Sequence, residues 1–193
     1  MGLKNQAAYL TDKQVKNAKA RMTDYRHSVR NTAILLLGTK AGLRAKEISG
    51  LKWKHVTDAD GKIASQITLT DDISKGRSGG LIPMARELSD VLTKLNSGRK
   101  DRNATVILSE RRTPMKTQSI INLMRTHFAD CGIEGASSHS MRRTMITNAA
   151  RKISSVGGSM RDVQQLARHA NLQTTQRYVE ANTKAQMDVI DLI

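Results

Sequence analysis

The chain has 193 residues and carries 32 lysines and arginines against 17 acidic residues, a formal net charge of +15. That length suits one domain with a core of its own, and the charge excludes an acidic binding protein while pointing to a polyanionic partner, nucleic acid before an anionic membrane surface. A single cysteine, Cys131, excludes a disulfide framework and a cysteine-based zinc cluster within the monomer, and fits a reducing compartment.

Helical periodicity dominates the chain, with two prolines and therefore few obligatory breaks. Thr11 to Asp24 is polar and basic with few apolar anchors, which reads as a peripheral helix or arm within an N-terminal segment, residues 1–27. Ser28 to Ala41 places Val29, Ala33, Leu36 and Leu37 at helical spacing, with Gly42 as the stop signal. Ala45 to Leu51 reads as a short second helix. Lys62 to Thr70 then alternates Ile63, Ser65, Ile67 and Leu69, a strand pattern. The polar stretch DDISKGRSGG and Leu81-Ile82-Pro83 follow, giving a hairpin with a long basic tip and a proline that ends the second strand or puts it on an edge. Helices return at Arg86 to Leu95, Gln118 to Cys131, Met141 to Lys152, Arg161 to Arg168 and Thr174 to Glu180, with a short strand at Val106 to Leu108. Lys184 to Ile193 is a short amphipathic tail. The expected fold is mainly α with a small antiparallel β-sheet.

Aromatic residues make up 3% of the chain, too few for the stacking platforms of single-strand binders, so double-stranded DNA is the favoured partner. The apolar run Ala33 to Leu37 falls far short of the ~20 residues that span a bilayer. The start MGLKNQ lacks a signal-peptide core, and Gln6 breaks the myristoylation pattern. A soluble intracellular protein with no membrane partner is the expectation. Neither a P-loop, H-E-x-x-H nor C-x-x-C occurs.

One scattered set of residues does form a chemical kit. His139 and Arg142 lie three apart at the entrance to a helix; His169 follows Arg142 by 27 residues and Tyr178 follows His169 by nine. Arg44 and Glu47 lie near the front, and Lys75 sits on the hairpin tip, eight residues before Pro83. Phosphodiester chemistry needs cations on the non-bridging oxygens, and arginines supply them bidentately at any working pH. Histidine adds a donor or proton shuttle. Lysine can protonate a leaving alkoxide if neighbouring arginines lower its pKa from about 10.4, and tyrosine can serve as nucleophile if its value falls from about 10. Fixed charge supplies the electrostatic stabilisation, so such a site asks for no metal or other cofactor.

The segments AGLRAKEISGLKW, KGRSGGLIP, HSMRRT and LARHANLQTTQRYVE resemble the motifs of the tyrosine recombinase (phage integrase) family, in the family's order, over roughly residues 30 to 182. H-x-x-R alone arises often by chance; all four segments in register are specific. The resemblance implies a catalytic domain of that fold over residues 28–183, with the tail, residues 184–193, packing in cis or docking on a neighbouring subunit. It implies that Arg44 and Arg142 grip the scissile phosphate, and that Lys75 reaches into the minor groove and protonates the 5′-hydroxyl leaving group. Lys62 and Arg77 are nearby cations that compete for that assignment. His139 would be general base or proton shuttle, and His169 would hydrogen-bond the phosphate. Tyr178 would attack, forming a 3′-phosphotyrosyl link without ATP or metal, and Glu47 would support the site as an orienting carboxylate. The implied assembly is a homotetramer on DNA, monomeric in isolation, acting in a bacterial or phage-host cytoplasm.

Three departures stand out. Arg143 occupies a position where relatives often have histidine, Arg168 one where glycine commonly precedes the histidine, and RKISSVGGSM is longer than usual. Some 27 residues precede the first motif helix, so the upstream clamp domain of most relatives is expected to be missing. That fits either an expressed catalytic fragment or a short recombinase of the fimbrial-switch type, which Met1 favours. The resemblance leaves two other functions open: a DNA-binding regulatory relative without cleavage activity, and a type IB topoisomerase.

Overall fold

The computed structural model describes residues 7–74, 79–98, 101–178 and 190–191. Its architecture is helical with one small sheet, as the sequence pattern implies. In chain order come α1 (Asp12–Arg21), α2 (Ser28–Thr39) and α3 (Ala45–Gly50), then β1 (Gln66–Leu69) and β2 (Gly80–Pro83). They are followed by α4 (Arg86–Asn96), α5 (Thr117–Asp130), α6 (Ser138–Lys152), α7 (Met160–Ala167) and α8 (Leu172–Gln176). No helix among the described residues is long and apolar enough to cross a membrane.

Helix α2 is the centre of the molecule. The run Ala33 to Leu37 is buried on every side, which a helix tolerates only when neighbours enclose it. Helices α4 and α6 pack against it. Close approach of α6 depends on Gly38, where an added Cβ would stand 2.6 Å from Cβ of Met141. Gly38→Ala is therefore expected to cost about 1–3 kcal/mol by overpacking, read from urea denaturation. An unchanged midpoint would show that α6 can retreat freely.

The first helix is less peripheral than its polar sequence suggests. Leu10, Ala18 and Met22 are almost completely buried in the main core, and the backbone N–H of Leu10 donates to Thr144 Oγ1 on α6 at 2.9 Å. Thr11 caps α1, its hydroxyl accepting from the N–H of Gln14.

Strands β1 and β2 pair antiparallel with Ile67 opposite Ile82. Both face the core. The first strand is shorter than the alternation over Lys62 to Thr70 implies. Asp58 Oδ1 accepts from the N–H groups of Asp60 and Lys62, an Asx-type turn that bends the chain away, and Ile63 makes only an isolated bridge to Thr57. The strand expected at Val106 to Leu108 does not form. Its backbone makes single bonds instead, from the N–H of Val106 to Leu51 and from that of Met115 to Ile107. Helix α6 starts at Ser138, ahead of the apolar Met141, because the Ser140 hydroxyl accepts from the backbone of Ser137 and stabilises a polar first turn.

A second, smaller buried cluster lies apart from the main core. Met145 and Ile146 of α6 meet Val163 and Ala167 of α7, with Tyr178 packed against them. Lys75 and residues 179–189 of the expected last helix and tail lie outside the described residues.

Candidate active site

The chain turns sharply before α3. Gly42 takes φ +66°, a left-handed conformation natural to glycine, and Arg44 follows as the residue before the first helical turn. Glu47, in that first turn, reaches back so that its Oε2 accepts from the backbone N–H of Arg44 at 2.8 Å, while Oε1 accepts from Arg44 Nη1 at 3.0 Å. The local sequence thus fixes both the start of α3 and the direction of the Arg44 side chain.

Helix α6 supplies the next pair. His139 and Arg142 lie one turn apart, the histidine exposed and the arginine buried. Arg142 Nη1 donates to the carbonyl of Gly42 at 2.5 Å, and Nη2 donates to the carbonyl of Ala167. Two of the five guanidinium N–H groups are used in this way. The same bonds tie the α3 turn, α6 and the end of α7 together. Burial first, then the charges of Arg44 and Arg168, lower the Arg142 pKa to about 10, so it stays charged at neutral pH.

Helix α7 ends on Arg168 in the left-handed conformation, φ 54° and ψ 45°. This explains why glycine suits the position, and the His169 N–H then closes the turn on the Gln164 carbonyl. Arg168 does more than turn the chain: Nη1 and Nη2 bind Glu47 Oε1 and Oε2 at 3.0 and 2.8 Å. Burial would raise the Glu47 pKa, but the Arg168 hydrogen bond, the Arg44 backbone N–H and the two guanidinium charges outweigh it and hold the carboxylate below its ordinary value.

His169 Nδ1 lies 2.9 Å from the hydroxyl of Thr175, which is buried on α8. When that hydroxyl donates, the imidazole proton sits on Nε2 and offers a donor. The ring stacks on Tyr178 with centroids 5.7 Å apart and planes at 25°. Burial, followed by the charges of Arg142, Arg44 and Arg168, pushes the His169 pKa down to about 4.

An NMR titration of the free protein is expected to give a His169 midpoint near 4, against the ordinary 6.5. A midpoint above 6 would contradict the cationic surroundings. Because the unfolded chain takes up this proton first, the group's contribution to stability is complete above pH 6.5 and is lost as pH falls toward 4.

Arg44, His139, Arg142, His169 and Tyr178 all line one cleft of about 400 Å³. Five of the six catalytic candidates are thereby brought together; the sixth, Lys75, lies outside the described residues. Sequence reasoning missed Arg143 and Arg177 as further basic residues of the same wall. It also noted Arg168 only as a departure, although an arginine next to the His169 motif with a carboxylate at Glu47 was a signal for a pair. The remaining histidines serve the fold: His127 Nε2 is 2.7 Å from the Ala18 carbonyl, and His55 Nδ1 accepts from the Lys52 N–H. Tyr25 donates to Asp130, and Tyr9 to Asn148. Arranged this way, the cleft offers concentrated positive charge for an anion, a neutral imidazole and a phenol in ring contact with it.

Comparisons with known proteins bear on this arrangement. The model of the phage integrase family matches residues 8–185. Tyrosine recombinase XerD of Neisseria meningitidis serogroup B is 28% identical over 182 residues, covering 91% of this chain and 59% of that protein. Tyrosine recombinase XerA of Pyrococcus horikoshii is 26% identical over 188 residues, covering 94% of this chain and 60% of its own. The chain therefore spans less than two thirds of these relatives. Among solved structures, a XerA recombinase superposes over 100% of this chain and 65% of its own with a TM-score of 0.73 at 24% identity. The Tn1549 transposon integrase, in complex with transposon right end DNA, superposes over 99% of this chain and 67% of its own with a TM-score of 0.75 at 18% identity. At that identity the likeness is one of fold.

Proposed function

The chain belongs to the phage integrase family, and from that membership we propose that it is a site-specific DNA recombinase that breaks and rejoins strands through a 3′-phosphotyrosyl intermediate. The observation that carries the reading is the meeting of Arg44, His139, Arg142, His169 and Tyr178 on one cleft.

In this reading the scissile phosphate sits between Arg44 and Arg142, whose unspent N–H groups bind its non-bridging oxygens. Charge growing on those oxygens meets fixed cations in a half-buried cleft, where the interaction is stronger than in water. His169 adds a neutral donor to the same phosphate. Tyr178 Oη attacks phosphorus, His139 takes the phenolic proton, and the bond to the 5′-oxygen breaks. Lys75, assigned on the family motif, gives that oxygen its proton. The 5′-hydroxyl of a second strand then attacks the phosphotyrosyl link, the proton transfers run in reverse, and Tyr178 is released. Bond energy is kept in the ester, so the exchange is nearly balanced.

The net charge of +15 supports duplex DNA as the partner, with cations beyond the cleft spread along phosphates. Assembly as a tetramer on DNA and action in a bacterial or phage-host cytoplasm belong to the same proposal.

The test is trapping. A pool of nicked duplexes with randomised core sequence, in which the released 5′ fragment diffuses away, is expected to yield a covalent protein–DNA adduct without metal or ATP. DNA binding with no adduct from any pool member would favour a non-cleaving regulatory protein. Relaxation of supercoiled plasmid without strand exchange would favour a topoisomerase.

A further inference from the structure

A carboxylate has two oxygens and about four lone-pair directions. On Glu47 all four are engaged. Oε1 accepts from Nη1 of Arg44 and Nη1 of Arg168, and Oε2 accepts from Nη2 of Arg168 and the backbone N–H of Arg44. The Glu47 and Arg168 side chains are 1% and 4% exposed, whereas that of Arg44 is 29% exposed and lines the cleft. Arg168 meets the carboxylate through two N–H···O bonds, one from each terminal nitrogen to each oxygen, the fork that a guanidinium provides. It does so from a left-handed backbone that favours glycine. A bulky charged side chain is thus held where the backbone prefers none.

We propose that Arg168 is a positioning residue for strand cleavage: by gripping Glu47 bidentately it limits that carboxylate to one bond with the Arg44 side chain, leaving the rest of the Arg44 guanidinium for the scissile phosphate. This rests on the recombinase reading of the cleft. Without Arg168, two lone pairs of a buried carboxylate lose their partners, and Arg44 is the cation already in contact with it. Arg44 then closes into a bidentate pair with Glu47 and swings away from the cleft. A second effect runs in the same direction, because one of the two guanidinium charges that offset the Glu47 carboxylate is lost.

The experiment measures single-turnover cleavage of a saturating suicide duplex alongside DNA affinity in Arg168→Gln, Arg168→Gly and Arg168→Lys. Cleavage is expected to slow by about 10- to 100-fold in Gln and Gly, as for a catalytic group displaced by about 1 Å, with affinity changed by less than about threefold. Lysine keeps the charge without the fork, so Arg168→Lys is expected to remain slow; full recovery would mean that charge alone matters. Arg168→Gly suits the backbone and guards against misfolding as the cause. The double variant Glu47→Gln, Arg168→Gln is expected to be no slower than the worse single variant. Native cleavage in Arg168→Gln, or equal losses of rate and affinity, would overturn the assignment. A second readout needs no cleavage: the Arg44 Nε–H resonance should move in Arg168→Gln, and an unmoved resonance would overturn the proposal. Should the native chain form no adduct while that resonance moves, the recombinase reading falls and the positioning of Arg44 by Arg168 through Glu47 stands.

Discussion

Tyr178→Phe is expected to abolish the covalent DNA adduct, with cleavage falling at least about 10⁴-fold, because the ring that remains has no oxygen to form the ester. The substitution removes one atom from a ring that stacks on His169 and rests against Met145, Ile146, Val163 and Ala167. That apolar contact survives in phenylalanine, so the melting temperature and DNA affinity should stay close to native. Adduct formation and binding separate cleanly in this variant, which makes it the sharpest test of the proposed chemistry. An adduct that persists would move the nucleophile elsewhere, and Tyr9 and Tyr25 would be next to examine, though both hydroxyls already serve structural partners.

Arg142→Lys carries the second large effect, and it should strike both stability and activity. Arg142 binds the carbonyls of Gly42, before α3, and Ala167, at the end of α7. Lysine keeps the charge but has one nitrogen, and it cannot span both carbonyls while also reaching a phosphate. Leaving a buried carbonyl unpaired costs about 1–3 kcal/mol. Losing a preorganised donor to the developing charge lowers cleavage by about 10²–10³-fold. Urea denaturation and single-turnover trapping read the two separately. Native stability with a large loss of cleavage would show that the carbonyl bonds add nothing; the reverse would show that Arg142 is structural.

Much of this site is legible in the sequence because the motifs carry their own geometry. Gly42 before Arg44, with Glu47 in the next turn, encodes both a left-handed turn and a helix start. His139 and Arg142 are one helical turn apart, so any helix through them brings both to one side. What escaped the sequence depends on burial and on backbone states that no periodicity records. Arg168 looked like an intrusion at a glycine position; the left-handed φ and the buried Glu47 that give it purpose exist only in the folded chain. The strand expected at Val106 to Leu108 failed for a related reason, since its backbone is satisfied by single hydrogen bonds with Leu51 and Met115 rather than by a ladder. Thr11 to Asp24 looked peripheral because few of its residues are apolar, yet Ala18 and Met22 are among the least exposed in the protein. A count of apolar residues does not reveal which few face inward.

The division of the buried residues into a large and a small cluster has a consequence for how the cleft comes apart. Arg44 hangs on α3 and the main core, whereas Tyr178 packs on the small cluster of Met145, Ile146, Val163 and Ala167, and His169 stacks on Tyr178. Resistance to local unfolding follows the apolar surface that an opening exposes, so the α7–α8 unit separates at a lower free energy than the body that holds α2. A cleft built this way can lose Tyr178 to solvent while the rest stays folded. Contacts that a neighbouring molecule or DNA makes with that unit would then act as a fastening, converting an intermittently assembled centre into a continuous one.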